Sequence, residues 1–217
     1  IQSDSMDGRA MACAGHPAVR TPNFDRLAER GVLFTQAYCN SPQCVPSRAS
    51  MWSGRHVHEV EAWNNYQGLT PETPTFATQL AEAGYDTIVL GRTDHLSGSH
   101  SMVARLSAWT RSVPGGPLFI KPRPWSRTLD TGGIRTRPGD WNTLEEAERH
   151  LAQSNPEIPF FLHVGLGHPH PGGGFNATPE LLKSVDRRRI IEPPFEMPTH
   201  PAMRYMTEAK ACDGEFT

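Results

Sequence analysis

Short apolar runs alternate along the chain with polar, capped stretches, and the alternation predicts the elements. "TPNFDRLAERG" reads as a helix, with Thr21 as cap, Pro22 in the first turn and Gly31 as stop. The β-branched and aromatic run "VLFTQAY", Val32 to Tyr38, predicts a strand. "TPTFATQLAEAG" repeats the Thr-Pro start and Gly stop and predicts a second helix from Pro74 to Ala83. "DTIVLG", Asp86 to Gly91, and "PFFLHVGL", Pro159 to Leu166, read as buried strands, with a helix from Trp141 to Gln153 capped by Asp140 between them. Ser3 to Ser5 read as the end of a further strand. Helices alternating with buried strands imply an α/β sheet covered on both faces. Pro114 to Pro138, rich in Pro, Gly and Arg, predicts a loop or insertion, and Glu192 to Pro201 an irregular tail.

Composition narrows the picture modestly. The chain has 217 residues, 37% hydrophobic and 20% charged, enough for one substantial core. Its formal net charge of -2 gives no global attraction to nucleic acid or to an acidic membrane. No apolar run approaches the roughly 20 residues of a membrane-spanning helix, and no secretory leader pattern is visible. The start at "IQSDS", without methionine, reads as a cut. Cys13, Cys39, Cys44 and Cys212 fit neither a small disulfide scaffold nor a paired C-x-x-C zinc ribbon, and their pairing stays open.

In open α/β sheets ligands gather beyond the carboxyl ends of the strands. Asp4 with Ser5, Arg92 with Asp94 and His95, and His168 with His170 all follow predicted strands, and the segment "CVPSRASMWSG", Cys44 to Gly54, follows a fourth. A lone cysteine is most often a small buried hydrophobe. Here Arg48 and a helix N-terminus near Ser47 would lower the thiol pKa and cradle an anion, which makes Cys44 a candidate nucleophile. Two H-x-H pairs, His56 with His58 and His168 with His170, leave a zinc site as an alternative. The run Arg187 to Arg189 fits a solvated face better than a polyanion groove.

"CVPSRASMWSG" resembles the sulfatase signature, Cys-x-Pro-Ser-Arg followed after five residues by Gly. "GYDTIVLGR" and "FFLHVGLGHPHPG" resemble two further segments of that family, and "TPNFDRLAERGVLFTQAYCNSPQCVPSR" its approach to the motif. The resemblance implies an alkaline-phosphatase-like α/β/α sandwich with a mostly parallel sheet, incomplete in these residues, and sulfate-ester hydrolysis. It implies conversion of Cys44 to formylglycine by a maturation enzyme, Arg48 holding the aldehyde or sulfate oxygens, and Asp4 and modified Cys44 as ligands of a divalent cation, expected to be calcium. The hydrated aldehyde is a geminal diol, one hydroxyl for attack on sulfur and the other for expelling sulfate afterwards. Arg92 stands where the family has Lys and keeps a positive charge for sulfate, but it cannot give up a proton. His170 is therefore the expected sulfate-binding residue and general acid, with His95 and His100 as weaker candidates.

Segments such as "SDSMDGR", "EAWNNYQGL" and "TDHLSGSHS" resemble one branch of the family, which implies a 2-sulfated uronate of a glycosaminoglycan as substrate. An extracytoplasmic location follows from the family alone. The family's later pair of metal ligands has no match before Thr217, so residues 1–217 read as the N-terminal part of a catalytic domain, with little activity expected in isolation. A phosphoester or phosphonate hydrolase of the same superfamily and an inactive sulfatase-like fragment are the alternatives.

Overall fold

The computed structural model describes residues 1–97, 126–128, 133–170, 175–190, 196–201 and 203–204. In chain order the elements are β1 (Gln2–Asp4), α1 (Pro22–Arg30), α2 (Cys44–Ser53), α3 (Phe76–Glu82), β2 (Asp86–Gly91), β3 (Ser126–Thr128), α4 (Pro138–Gln153), β4 (Phe160–Pro169), β5 (Phe175–Ala177) and α5 (Pro179–Lys183). They fall into two compact units. The first comprises Ile1–Asp7, Leu33–Ala104 and Arg137–His170, and the second comprises Gly8–Val32, Arg105–Thr136 and Pro171–Thr217.

The first unit is built on a parallel sheet of order β1-β4-β2. Its central strand is buried from His163 to Gly165, as expected where parallel strands are covered on both faces. The register pairs Gly91 and Gln2 with Gly165, and Asp4 with Pro169, so the carboxyl ends of all three strands lie side by side. At this end β2 and β4 approach so closely that a Cβ on Gly165 would collide with the Arg92 carbonyl. One on Gly91, whose φ is 72°, would meet the Gly165 carbonyl. Only glycine tolerates both the contact and the left-handed backbone.

Trp52, Leu69, Ala49, Ala62 and Ala77 form the buried cluster beneath the sheet's helices. Trp52 stacks on Phe76 at 5.0 Å and on His95 at 4.4 Å between ring centroids, and meets the edge of His163 at 5.0 Å. One indole thus ties α2 to α3, to the segment after β2 and to β4, which brings the candidate chemistry onto a packed support.

Several boundaries differ from those predicted. α3 starts after Thr75 rather than at Pro74, because the Thr75 hydroxyl accepts from Thr78 N while the Thr78 hydroxyl accepts from Thr75 N, a reciprocal cap. α4 starts at Pro138 rather than Trp141: proline occupies the first turn, and Asp140 lies inside the helix with its carboxylate turned to β4. β4 runs on to Pro169, past the expected end at Leu166.

The strand expected from Val32 to Tyr38 does not form. Among the described residues no strand pairs with it, and Phe34 and Tyr38 stand 77% and 89% exposed. Strand propensity is realised only where a partner and a face to bury are supplied.

In the second unit β3 pairs in parallel with β5, so the expected loop from Pro114 to Pro138 contains a short strand; residues 114–125 and 129–132 lie outside the described residues. α5 is capped by the buried Thr178, whose hydroxyl accepts from Leu181 N. Residues 196–198 of the expected irregular tail carry no regular structure. No described helix is long and apolar enough to cross a membrane.

Candidate active site

The end of β1 places Asp4 in a buried electrostatic knot. Its carboxylate, 4% exposed, lies 3.5 Å from Arg48 Nη2 and 2.9 Å from Arg92 Nη1. Arg48, equally buried, also donates through Nη1 to Gln2 Oε1 and to the carbonyls of Arg92 and Thr93, at 3.2, 3.2 and 3.3 Å. Arg92 donates from Nε to the Asp94 carboxylate. Burial works against the charge on Arg92, but the bond to Asp94 and the charges of Asp94 and Asp4 outweigh it and raise the pKa. Arg92, expected to meet sulfate, is thus engaged by two carboxylates.

Cys44 is the first residue of α2, so the helix begins three positions earlier than the predicted start at Ser47. Gln43 precedes it in extended conformation without a side-chain cap. The orphan donor at Val45 is satisfied instead from a distance, by Asn65 Oδ1 at 3.0 Å. Pro46 sits in the first turn, where its missing N–H costs no helical bond. Cys44 is a free, half-buried thiol. It lines a cleft of about 520 Å3 together with Asp4, Ser5, Asp7, Cys39 and Arg48. The first unit therefore brings together three of the residues singled out in the sequence: the candidate nucleophile, the candidate carboxylate ligand and the signature arginine.

The third strand end is organised by α4. Asp140 accepts from Gly167 N at 2.8 Å and His168 N at 2.9 Å, and its Oδ2 lies 2.7 Å from His168 Nδ1. Partial burial alone would raise the Asp140 pKa, but these donors hold it below the ordinary carboxylate value. Arg137 Nη2 donates to the His170 carbonyl at 3.1 Å. The His170 imidazole is half-buried, with an Nδ1 that makes no hydrogen bond. His170 follows Pro169, the register partner of Asp4, but does not line the Cys44 cleft. His163 is buried and His95 half-buried, both against Trp52; desolvation pushes both below the ordinary histidine pKa, with the charge of Arg48 adding to the effect. His100 lies outside the described residues.

Sequence reading passed over Asn65, Arg137 and His163 and took Asp140 for a cap. Asn65 lies 20 positions from its partner and Arg137 33 positions from its own, so no local pattern signals either. The one available signal was an acid just after Pro138, where a helix begins.

The described residues do not by themselves fit a complete divalent-cation site. None of their His, Cys, Asp and Glu side chains gather in a group of three or more, and both Asp4 oxygens face guanidinium groups. A calcium ion takes six to eight oxygens. His56 and His58 stack ring on ring at 5.5 Å and belong to no such group among the described residues.

The sequence profile of the Sulfatase family matches residues 1–192. Arylsulfatase K from Canis lupus familiaris is 36% identical over 233 residues, and that from Danio rerio is 35% identical over the same length. Both alignments cover all of this chain but 43% and 44% of the relatives, so the chain spans less than half of their length. A Bacteroides thetaiotaomicron VPI-5482 structure classed with the sulfatases superposes with a TM-score of 0.56 at 26% identity, covering 78% of this chain and 34% of that one. A 2-O GAG sulfatase (TM-score 0.56, 24% identity, 78% and 34% covered) and the phosphonate monoester hydrolase of Agrobacterium radiobacter (0.56, 20%, 81% and 41%) share the fold. The parallel sheet is part of the alkaline-phosphatase-like fold of these enzymes, whose sulfatase members use a formylglycine and a divalent cation. With the signature at the start of α2 and the profile running through most of its length, the chain belongs to the sulfatase family.

Proposed function

We propose that this chain is the nucleophile-bearing part of a sulfuric ester hydrolase. Cys44 is the residue converted to formylglycine, and a glycosaminoglycan carrying a 2-sulfated uronate is the substrate class. The carrying observation is that Cys44 opens α2 on the wall of a cleft it shares with Asp4 and Arg48. Formylglycine, once formed, supplies a hydroxyl nucleophile and a built-in exit for sulfate. The helix N-terminus directs partial positive charge at the incoming anion. Arg48 fixes that helix start against β1 and the segment after β2 through its ion pair and three acceptors, so nucleophile and anion cradle move as one body. Arg92, held by Asp4 and Asp94, contributes charge and no proton.

Protonation of the leaving alcohol falls to His170, the residue after β4. Asp4 and modified Cys44 are the ligands these residues offer to the cation, for which we propose calcium; its six to eight oxygens call for further ligands. Conversion of Cys44 requires a formylglycine-generating partner, and an extracytoplasmic location accompanies that chemistry.

The test is turnover by the protein produced with that maturation enzyme and with any sequence that follows residue 217. Matched sulfate and phosphate monoesters are compared, with Cys44→Ala as control. Sulfate preference that disappears in Cys44→Ala is expected. Phosphate preference would assign the chain to the phosphoester branch of the fold, and turnover unaffected by Cys44→Ala would place the chemistry elsewhere.

A further inference from the structure

The second unit contains a cleft of about 930 Å3 that shares no described lining residue with the Cys44 cleft. The segment His16 to Arg20 forms one side and Lys183 to Arg189 the other. Among the described residues five cationic side chains border it, Arg20, Lys183, Arg187, Arg188 and Arg189, against a single carboxylate, Asp186. That carboxylate is spoken for: Arg188 donates to it from Nε at 3.0 Å and Nη2 at 3.1 Å, and its backbone N–H adds a bond of 3.2 Å. No described acid is in ion-pair contact with Arg20, Lys183 or Arg187.

The other wall is pre-set. His16 Nδ1 accepts from the backbone N–H groups of Ala18 and Val19, both at 3.2 Å, which pins the loop and leaves the ring proton on Nε2 as a donor.

In a chain of net charge -2 this concentration of cations is local, and it asks for a polyanion. Guanidinium forks match sulfate and carboxylate oxygens in pairs. The volume is of the order of the roughly 300–1,000 Å3 typical of small-ligand sites, enough for a few sugar rings. Among the described residues the lining contains no Phe, Tyr or Trp. Single-stranded nucleic acid is held by stacking on such rings, whereas a sulfated glycan offers only saturated rings and anionic groups.

We propose that this cleft is a second glycan subsite that grips a sulfated, uronate-containing oligosaccharide through Arg20, Lys183 and Arg187. The choice of a sulfated glycan rests on the sulfatase reading, whereas its binding is measured without catalysis. The purified chain carrying Cys44→Ala, so that no ligand is consumed, is titrated by calorimetry with a size-defined heparin-type tetrasaccharide. The fully desulfated tetrasaccharide and a single-stranded oligonucleotide of equal charge serve as comparisons.

Binding of the sulfated sugar that weakens as salt rises is expected. Its affinity should fall about tenfold or more in Arg20→Glu/Lys183→Glu/Arg187→Glu. The milder Arg20→Gln/Arg187→Gln pair, with an unchanged circular dichroism spectrum and melting temperature, should give a loss of the same direction. Equal affinity in that folded pair variant, equal binding of the desulfated sugar, or tighter binding of the oligonucleotide overturns the proposal. Glycan binding lost in these variants in a protein that turns over no sulfate ester would leave the subsite standing and remove the catalytic reading. Turnover without the binding effect would do the reverse.

Discussion

Replacing Arg48 by Met keeps much of the side chain's length and removes its charge and its donors. The structure sets the cost. Asp4 is 4% exposed and would keep only Arg92, at 2.9 Å, as a cationic partner, having lost Arg48 at 3.5 Å. Removing one member of a buried ion pair costs about 3–5 kcal/mol, because the remaining charge is left in a poor solvent. Arg92 remains beside Asp4 and offsets part of this, which favours the lower end. Gln2 Oε1 and the carbonyls of Arg92 and Thr93 also lose a donor; these acceptors are only half-buried and water can replace the donor, so their loss adds no more than about 1 kcal/mol, the low end for an unsatisfied acceptor. A net loss of about 3–4 kcal/mol is expected, a large share of a stability of roughly 5–15 kcal/mol. Urea unfolding followed by tryptophan fluorescence and circular dichroism measures it. In an Asp4→Asn background the same substitution should cost at least about 1 kcal/mol less, because the two side chains are coupled. Arg48→Lys should fall between wild type and Met, restoring charge without the fork. A loss below about 1 kcal/mol for Arg48→Met, or strict additivity with Asp4→Asn, would refute the knot as a structural unit.

Trp52→Ala should destabilise the first unit by about 3–5 kcal/mol in the same assay, since the indole packs on Phe76, His95 and His163 at once. His95 and His163 have folded pKa values below the ordinary histidine value, so the unfolded chain binds more protons in the interval between. Stability is therefore full above about pH 6.5 and falls as pH drops below it, by at most about 1.4 kcal/mol per pH unit for each histidine. Urea midpoints from pH 8 to 5 should show the fall, and His95→Gln/His163→Gln should flatten it. Asp140→Ala releases two backbone donors and the His168 ring. It should cost about 1–3 kcal/mol and abolish the stability that Asp140 contributes above the ordinary aspartate pKa and loses as pH falls through its lowered folded value, read from acid unfolding curves.

Local chemistry explains what was legible in the sequence. The limits of β2 and α1 were readable because they are set by neighbours in sequence: a short apolar run ending at Gly91, and Pro22 with Gly31 around a polar helix; the burial expected of β2 does not occur, since none of its residues is buried and Val89 is 39% exposed. Asp4, Cys44, Arg48 and Arg92 were singled out as candidates because strand ends and one motif mark them, and the sheet register then sets the first and last of these beside each other. The failures share a cause. Val32 to Tyr38 has strand composition, but among the described residues it has no ladder partner, and pairing is a property of the partner as much as of the strand. Asp140 was read as a cap because a cap is the local use of an acid at a helix start; its contacts to Gly167 and His168 span 27 and 28 residues. Asn65 serving the first turn of α2, and the pairing of Arg92 with Asp4 rather than with an open cleft, are tertiary facts of the same kind.

The identity of Cys44 as the modified nucleophile is tested most directly by mass spectrometry. The tryptic peptide covering 31–48 is taken from protein expressed together with a formylglycine-generating enzyme. Formylglycine at Cys44, with Cys39 of the same peptide unchanged as a thiol, is the predicted result. A peptide that keeps the Cys44 thiol while a control sulfatase in the same cells is fully converted would contradict it.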